Sequence, residues 1–373
     1  WGVPPWHIDF APQAAPLPKE ADFVVIGAGF TGLAAAAWLR LLAPDKTTAV
    51  LEASRVGAGA SGRTGGMVLS ETAAGDVPDL GDVLAGFREI LVKLEVECDL
   101  AWPGAWEIGR SGGAGRSPIE WNDSGKLRVM NEVPGGTLDP GKLTSGLARS
   151  AQRWGAGIFE NARVENIDWN GHPLVHLAHA EITAGKILFA TNALSTGLSG
   201  LAGAEPRLTL AVSSEPLREE QLREIGLGER KPFYTIDFPY LWGRVRPDNS
   251  VIWGSGLVAA PGSRNLASID ITSEDCRRLI ALLEARVRGL HPALSSIGFT
   301  HRWGGPILFR ESWVPVFDWH PHSVKKSRKT TANAIVLGAY AGHGVALSSY
   351  LGAWAAEALL GRRDLPEWGR IDR

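Results

Sequence analysis

The 373-residue sequence is poor in cysteine and has no large excess of charge of either sign. Cys98 and Cys276 are its only cysteines, which excludes a disulfide framework and matches a reducing compartment. The 38 basic and 40 acidic side chains give a net charge of -2, so neither nucleic acid nor an anionic membrane is favoured as a partner. No uninterrupted apolar run approaches the roughly 20 residues of a membrane helix, and the best candidate, 33–42, contains Arg40. We expect a soluble, cytoplasmic protein that binds a small ligand, and the first residue, Trp1, leaves the native N-terminus open.

Motifs for several common chemistries are also missing. There is no P-loop, no paired-cysteine zinc motif and no nucleophile elbow. The clustered histidines are interpreted as surface or internally hydrogen-bonded side chains rather than metal ligands: His172, His176, His179, His320 and His322. The basic run 325–329 is interpreted as a solvated loop. Glycine and tryptophan, by contrast, are plentiful, with 45 and 15 residues, which is typical of close backbone approaches and an aromatic-rich interior.

The N-terminal part of the sequence predicts an arm followed by a βαβ unit. Residues 1–21 contain five prolines, which predicts an extended arm lying on the surface. Apolar residues at 23–26 and 47–52 predict two strands, and an alanine-rich helix is predicted between them over 31–42. Such a unit is typical of a parallel sheet buried on both faces.

The remaining periodicity predicts that this first sheet is interrupted by a second region. Helical spacing covers 142–154, 273–290 and 342–360, and strand patterns cover 162–169, 182–190, 208–212, 240–245, 251–254 and 334–337. The predicted fold class is α/β with α+β insertions: a discontinuous Rossmann-type domain and an inserted antiparallel-sheet domain. We expect 22–70, 136–200 and 330–373 to form the nucleotide-binding domain, and 71–135 and 201–329 to form a substrate domain.

A glycine-rich turn follows the first predicted strand. It fits the pattern G-x-G-x-x-G, and an acidic residue stands 20 residues beyond its last glycine. In such a turn the glycines permit a tight bend, close approach of a pyrophosphate and close helix packing, while the helix N-terminus faces the phosphates. The acid would accept a hydrogen bond from a ribose hydroxyl and disfavours the 2′-phosphate of NADP, so NAD or FAD is predicted. The predicted contacts are Gly27, Gly29, Phe30, Thr31, Gly32, Glu52 and Ala53.

A second glycine-rich stretch, residues 59–67, reads Gly-Ala-Ser-Gly-Arg-Thr-Gly-Gly-Met and could run under a long cofactor with its backbone amides exposed. Here the sequence resembles the D-amino-acid-oxidase (DAO) superfamily of FAD enzymes, and within it the gamma-glutamylputrescine oxidoreductase type, whose flavin loop reads G-A-S-G-R-N-G-G. Thr64 replaces the usual Asn. We call 59–67 the flavin loop. The resemblance implies FAD contacts at Ser61, Gly62, Arg63, Thr64, Gly65, Gly66 and Met67.

Further stretches extend the resemblance over about two thirds of the chain: 136–143, 164–167, 190–193, 214–217, 303–306 and 338–346. They imply FAD contacts at Val164, Thr191, Asn192, Gly342, His343, Gly344, Val345 and Ala346. A helix that begins near Gly344 would point free N–H groups and its positive dipole end at the flavin N1/O2 edge. For His343 two interpretations stay open, a packing or capping side chain and a contact that tunes the redox potential.

The resemblance also implies the chemistry. A hydride would pass from the carbon beside an amine nitrogen to flavin N5, water would hydrolyse the resulting imine, and dioxygen or another acceptor would reoxidise the flavin, with hydrogen peroxide as the product of the oxygen reaction. Relatives that tether FAD use a histidine in the flavin loop or a cysteine near the stretch that corresponds to 338–346 here, which we call the C-terminal signature. This sequence has neither at those places, so non-covalent FAD is expected.

The substrate is expected to be a small amine. Relatives that act on free α-amino acids hold the carboxylate with a forked arginine, which in glycine oxidases follows the W-x-G element. The equivalent place here is Ile307, and Arg310 comes three residues too late. Candidate catalytic and substrate-wall residues are Trp303, Tyr240, Trp242, Arg244 and His343. Positions 240, 242 and 244 share one face of a strand by period two, although that face could equally be solvent or core.

Two alternatives stay open at this stage. One is an amino-acid oxidase of the same superfamily. The other is a non-catalytic flavin-binding subunit, because 67–135 matches the superfamily poorly and is shorter than its norm, at a place where the substrate pocket would lie.

Overall fold

The computed structural model describes residues 1–110, 116–201, 203–259, 266, 269–323 and 333–371. The basic run at 325–329 lies outside these ranges. The helices are α1 (Phe30–Leu42), α2 (Val83–Lys93), α3 (Pro140–Arg153), α4 (Glu219–Glu224), α5 (Glu274–Leu290) and α6 (Gly344–Leu359). None of the helices in these ranges has both the length and the apolar character needed to span a bilayer.

Within the described ranges the strands form two large sheets and one two-stranded ribbon. In chain order they are β1 (Glu20–Ile26), β2 (Thr48–Leu51), β3 (Met67–Leu69), β4 (Ala105–Gly109), β5 (Glu120–Asn122), β6 (Lys126–Val133), β7 (Gly135–Thr137), β8 (Gly157–Phe159), β9 (Val164–Asp168), β10 (Leu174–Leu177), β11 (Ala180–Phe189), β12 (Glu205–Ser214), β13 (Phe233–Thr235), β14 (Trp242–Val245), β15 (Val251–Ala259), β16 (Phe299–Phe309), β17 (Val316–Trp319) and β18 (Ala334–Gly338).

The first sheet has a parallel centre in the order β18-β11-β1-β2-β8. Strand β17 adds to one edge in antiparallel fashion, and β10 and β9 extend from the first half of β11. Both faces are buried: Phe23 and Val25 of β1 enter the core shared with α1, α3 and α6, whereas Val24 and Ile26 enter the core on the other face. This alternation follows from the period of two along a strand.

The second sheet has the order β16-β12-β15-β14-β13-β4-β6-β5 and is antiparallel except for the β13–β4 pair. Helix α5 packs on one face, where Ile280, Leu283 and Val287 join a core built around Trp121 and Trp253. The predicted fold class, a Rossmann-type unit with an inserted, largely antiparallel sheet, is confirmed.

The predicted domain boundaries stay a prediction, and two elements cross them. Helix α2, within the expected substrate segment 71–135, packs on α6 and shares the core of the first sheet. Strand β17, within 201–329, pairs with β18 of the first sheet. Most of the arm is exposed or half-buried, but Trp6 departs from the expected surface position, because it is only 6% exposed and its ring meets the Trp303 ring edge-on at 5.5 Å. An indole of that size contributes more stability packed inside than lying on the surface.

A histidine is buried at the outer face of the first sheet. The His320 ring stacks on Trp169 and Phe189, with both pairs of ring centroids 4.8 Å apart. Its Nε2 hydrogen-bonds the Leu198 carbonyl at 3.2 Å, and its Nδ1 accepts from the His322 N–H, so the neutral ring is satisfied at both nitrogens. Burial lowers the pKa of His320 to about 4, partly opposed by the bond to Leu198.

Candidate active site

The glycine turn lies where β1 ends and α1 begins, and the backbone leaves no room for a side chain at Gly27 or Gly32. Gly27 has a φ of 105°, and a Cβ on it would lie 2.7 Å from the Ala190 carbonyl oxygen. A Cβ on Gly32 would lie 2.0 Å from the carbonyl oxygen of Gly27. Close packing of this kind brings the backbone of strand, turn and helix together and leaves the turn open toward a ligand.

Two distant segments converge on the first turn of α1. The helix has no side-chain cap at Gly29. The Phe30 N–H donates to Ser61 Oγ of the flavin loop at 2.9 Å, and Thr31 Oγ1 hydrogen-bonds the Tyr340 hydroxyl at 2.7 Å. The flavin loop and the segment before α6 therefore meet at the helix end that favours phosphate.

Glu52 follows β2 and faces the same turn. Its carboxylate accepts from the Ala28 N–H at 3.0 Å and from the Ser54 N–H at 2.9 Å. Burial raises the pKa of the Glu52 carboxyl, and the bond from Ala28 works against that rise. The carboxylate is thus fixed beside the glycine turn, where a ribose hydroxyl would lie in a bound dinucleotide.

The flavin loop is held from behind through its carbonyl groups. Trp6 Nε1 donates to the Gly62 carbonyl at 2.8 Å, Trp303 Nε1 donates to the Arg63 carbonyl at 2.9 Å, and Arg244 Nε donates to the Gly65 carbonyl. Burial lowers the pKa of Arg244 to about 10, which leaves it charged at neutral pH. Because such bonds fix carbonyl orientation, the loop has one defined path along the cavity.

The C-terminal signature forms the turn between β18 and α6. Ala339, Ala341 and Gly342 have positive φ, and the Ala339 N–H donates to Asn192 Oδ1 at 2.9 Å. Helix α6 then begins with His343 as N-cap residue, whose imidazole makes no capping hydrogen bond. Burial lowers the pKa of His343, partly opposed by the Ala341 backbone, and its Nδ1 has no well-aligned partner among the described residues. The free N–H groups of α6 supply positive potential here without a charged imidazole.

These parts surround one cavity of about 650 Å³ between the two sheets. Part of its wall comes from one register row of the second sheet, of which Tyr234, Trp242, Ala211 and Trp303 line the cavity. Across neighbouring strands, Glu107 pairs with Tyr234, Tyr234 with Trp242, Trp242 with Gly254, Gly254 with Ala211, and Ala211 with Trp303. Residues in register point to the same face of a sheet. The small residues leave room for the indole of Trp242, because a Cβ on Gly254 would lie 2.0 Å from it.

The arrangement fits a flavin dinucleotide. It offers a glycine turn open to phosphates, an acid for ribose, and a second helix N-terminus on the same cavity, which together make a larger site than a mononucleotide needs. A family model described as FAD-dependent oxidoreductase (DAO) matches residues 22–358.

The chain belongs to this family of FAD-dependent oxidoreductases.

Individual relatives agree with the assignment. This oxidoreductase is 25% identical over 389 residues to gamma-glutamylputrescine oxidoreductase of Escherichia coli (strain K12), covering 91% of this chain and 84% of that one. Glycine oxidase from Geobacillus kaustophilus superposes with a TM-score of 0.71 at 15% identity, over 93% of this chain and 96% of that chain. L-amino acid deaminase from Proteus myxofaciens, in complex with anthranilate, gives a TM-score of 0.72 at 14% identity, over 96% and 94%. The resemblance predicted from the sequence is confirmed, and the two structures share the fold.

Most of the site residues predicted for this oxidoreductase line the cavity. They are Gly27, Gly29, Phe30, Thr31, Glu52, Ala53, Ser61, Arg63, Thr64, Gly65, Met67, Val164, Thr191, Asn192, Tyr240, Trp242, Trp303, Gly342, His343, Gly344 and Val345. Five do not line it, namely Gly32, Gly62, Gly66, Arg244 and Ala346. Four of these belong to the turns and helices behind the wall, and Arg244 lies behind the flavin loop rather than on the expected substrate face. Their functional roles stay predictions.

The polar groups at the cavity that sequence reasoning missed include Glu71, Tyr234 and Tyr340. Tyr234 donates to Glu107 Oε1 at 2.9 Å and lies 3.5 Å from Glu71 Oε1. Burial, followed by the charge of Glu107, raises the pKa of Glu71, and burial raises the pKa of Tyr234. A usable signal existed for Glu71, because Met67, Leu69 and Glu71 alternate and all three line the cavity.

Proposed function

We propose that this enzyme oxidises a carbon–nitrogen bond of a small amine. The observation that carries the proposal is the charge of the cavity wall. Among the described lining residues there is no lysine, and the arginines are Arg63 and Arg163. A free α-amino acid would need a cation near the reacting carbon to pair with its carboxylate.

Neither arginine is available for that pairing at the substrate side. Arg63 Nη1 donates to the Gly2 carbonyl at 2.8 Å, and Arg163 lies at the nucleotide side, next to Ala162, whose N–H donates to the Glu52 carbonyl at 2.8 Å. At the position where the resemblance implies a carboxylate-binding arginine, Ile307 lines the cavity. The apolar side chain supports an amine without an adjacent carboxylate.

The cofactor proposed for this site is non-covalent FAD. Neither cysteine lines the cavity, and burial raises the pKa of the Cys98 thiol to about 12, so its thiolate is scarce at neutral pH. The flavin loop carries Thr64 where a tethering histidine would stand. We expect the yellow chromophore to be released when the protein is denatured.

The chemistry that FAD supplies is acceptance at N5 of a hydride from the carbon beside the amine nitrogen, after which water hydrolyses the imine product. The protein's own residues position the substrate and shield the reacting atoms from water. Trp242 and Trp303 form an aromatic wall that excludes water, and the N–H groups at the start of α6 stabilise negative charge that develops nearby. We propose dioxygen as the electron acceptor and hydrogen peroxide as its product.

Anaerobic titration tests the proposal. FAD-loaded protein is mixed with alkyl amines, diamines, N-methyl amino acids, iminodiacids or D-alanine, and loss of the flavin absorbance near its visible maximum is followed. Reduction by amines is expected, and peroxide yield per turnover in air tests the acceptor. Saturating reduction by D-alanine with none by any amine would refute the substrate assignment.

A further inference from the structure

The segment that follows the flavin loop carries a carboxylate into the substrate side of the cavity. Met67, Leu69 and Glu71 all line the cavity, which places Glu71 four residues beyond the end of the flavin loop. Four extended residues span at most about 13 Å. Glu71 therefore lies within that distance of Met67, the last residue of the loop that would border the reacting nitrogen.

Glu71 has no cationic partner in the part of the chain that the structure describes. The Tyr234 hydroxyl, which faces it at 3.5 Å, has a shorter bond to Glu107 Oε1 at 2.9 Å, and Glu107 Oε2 accepts from Asn131 Nδ2 at 2.8 Å. A phenol has one proton to donate, and here Glu107 receives it. The half-buried Glu71 carboxylate is left open to the cavity, and a carboxylate in that position is costly unless a cation pairs with it.

The mouth of the cavity that Glu71 lines suits an alkyl chain. Ile236, Phe238, Tyr240 and Leu257 line the cavity and are 48%, 69%, 38% and 45% exposed, which puts four large apolar side chains at its mouth. The Phe238 and Tyr240 rings are 4.4 Å apart. Aromatic faces also attract ammonium groups.

We propose that Glu71 binds a second, positively charged nitrogen of the substrate, so that the preferred substrates are diamines in which an alkyl chain separates the oxidised nitrogen from the one held by Glu71. The inference rests on the proposed amine oxidation. It makes Glu71 a specificity-determining residue, because the ion pair forms at a distance from the reacting bond and adds binding free energy equally before and during reaction. The property to measure is how strongly the affinity for the substrate depends on its second nitrogen.

The experiment uses paired probes that differ only in that nitrogen: 1,6-diaminohexane with n-hexylamine, and 1,4-diaminobutane with n-butylamine. FAD-loaded wild type and Glu71→Gln are compared for dissociation constants, read from perturbation of the flavin spectrum, and for kcat and KM. Glu71→Gln is expected to raise Kd and KM for the diamines by about ten- to hundredfold, the usual effect of one charge-assisted bond, with kcat little changed. Monoamine values should stay near those of wild type.

Two controls separate local pairing from general charge. Asp76→Asn removes an exposed carboxylate that acts on Glu71 through space and does not line the cavity, so it should alter diamine binding little. Raising the salt concentration should weaken diamine binding to wild type more than to Glu71→Gln.

If Glu71→Gln lost the same affinity for the diamine and the monoamine of a pair, or lost none for either, the proposed role of Glu71 would be overturned. If no amine reduces the flavin, the proposed function fails instead, and the spectral Kd values still decide whether Glu71 binds the second nitrogen. The two failures therefore give different results.

Discussion

The glycine turn provides a sharp test, because one chemical change can be made in two helices with opposite expected results. In Gly32→Ala the added Cβ would lie 2.0 Å from the Gly27 oxygen, where ordinary contact begins at 3.4 Å. In Gly289→Ala, near the end of α5, the added Cβ meets nothing within 4 Å. Gly289 thus serves as the matched control for the intrinsic preference of alanine over glycine in a helix, which is at most about 1 kcal/mol.

The obstacle at Gly32 is backbone, so it cannot move aside by changing a rotamer. Forcing an extra carbon into a packed interior typically costs about 1–3 kcal/mol and more where backbone is the obstacle, which exceeds the helix-propensity gain. The start of α1 would shift away from β1, and the N–H groups that face the phosphates would shift with it. Losing one bond to a charged group lowers affinity roughly tenfold or more.

Thermal unfolding of the FAD-free proteins and titration with FAD, followed by quenching of flavin fluorescence, measure both effects. Gly32→Ala should lower Tm by several degrees and weaken FAD binding at least about tenfold. Gly289→Ala should keep wild-type FAD affinity with an equal or slightly higher Tm. If Gly32→Ala bound FAD as tightly as the control, the close approach would be irrelevant to the cofactor and the reasoning would be refuted.

Three further predictions concern other parts of the molecule. Trp6→Ala should cost about 3–5 kcal/mol of packing against Trp303 and should weaken FAD binding, measured by chemical unfolding and FAD titration; unchanged values would show that the arm is dispensable. Gly254→Ala should displace the Trp242 ring and raise KM for the amine while the affinity for FAD stays unchanged. A loss of FAD affinity in this variant would instead show that the Trp242 ring helps to bind the cofactor. The pKa of His320 is about 4 in the folded protein against an ordinary 6.5, so the unfolded chain takes up this proton more readily. The free energy of unfolding should therefore fall as pH drops from about 7 toward 4. If Tm falls as steeply with pH in His320→Gln, other groups cause the effect.

The sequence allowed the local parts of the site to be predicted, and the structure supplies what joins them. The strand, turn and helix around Gly27 can be predicted because their periodicity is local, within about thirty neighbouring residues. The glycines of the turn are equally informative, because few other residues fit where two backbone segments touch. The bond between Thr31 and Tyr340 joins residues 309 positions apart, and no local pattern encodes such a contact.

The second sheet shows the limit of period two. The alternation of 240, 242 and 244 predicted one shared face, but the strand begins only at Trp242, after Tyr240. Arg244 then hydrogen-bonds the flavin loop and is 4% exposed, a position that depends on where the loop lies. The same alternation could have placed Glu71 at the cavity, but it stands in a segment with little family resemblance. Its proposed role depends on its position relative to Tyr234, which the sequence does not show.

The place of β18 in the first sheet has a consequence during synthesis. Its partners in β11 are translated far earlier, since Phe189 pairs with Val336. While the ribosome makes the intervening polypeptide, the end of β11 is an unpaired parallel edge, the kind of surface that recruits other strands. That edge stays exposed until β18 emerges, so a bound chaperone should increase the yield of soluble enzyme, and slower translation, which prolongs the exposure, should lower it.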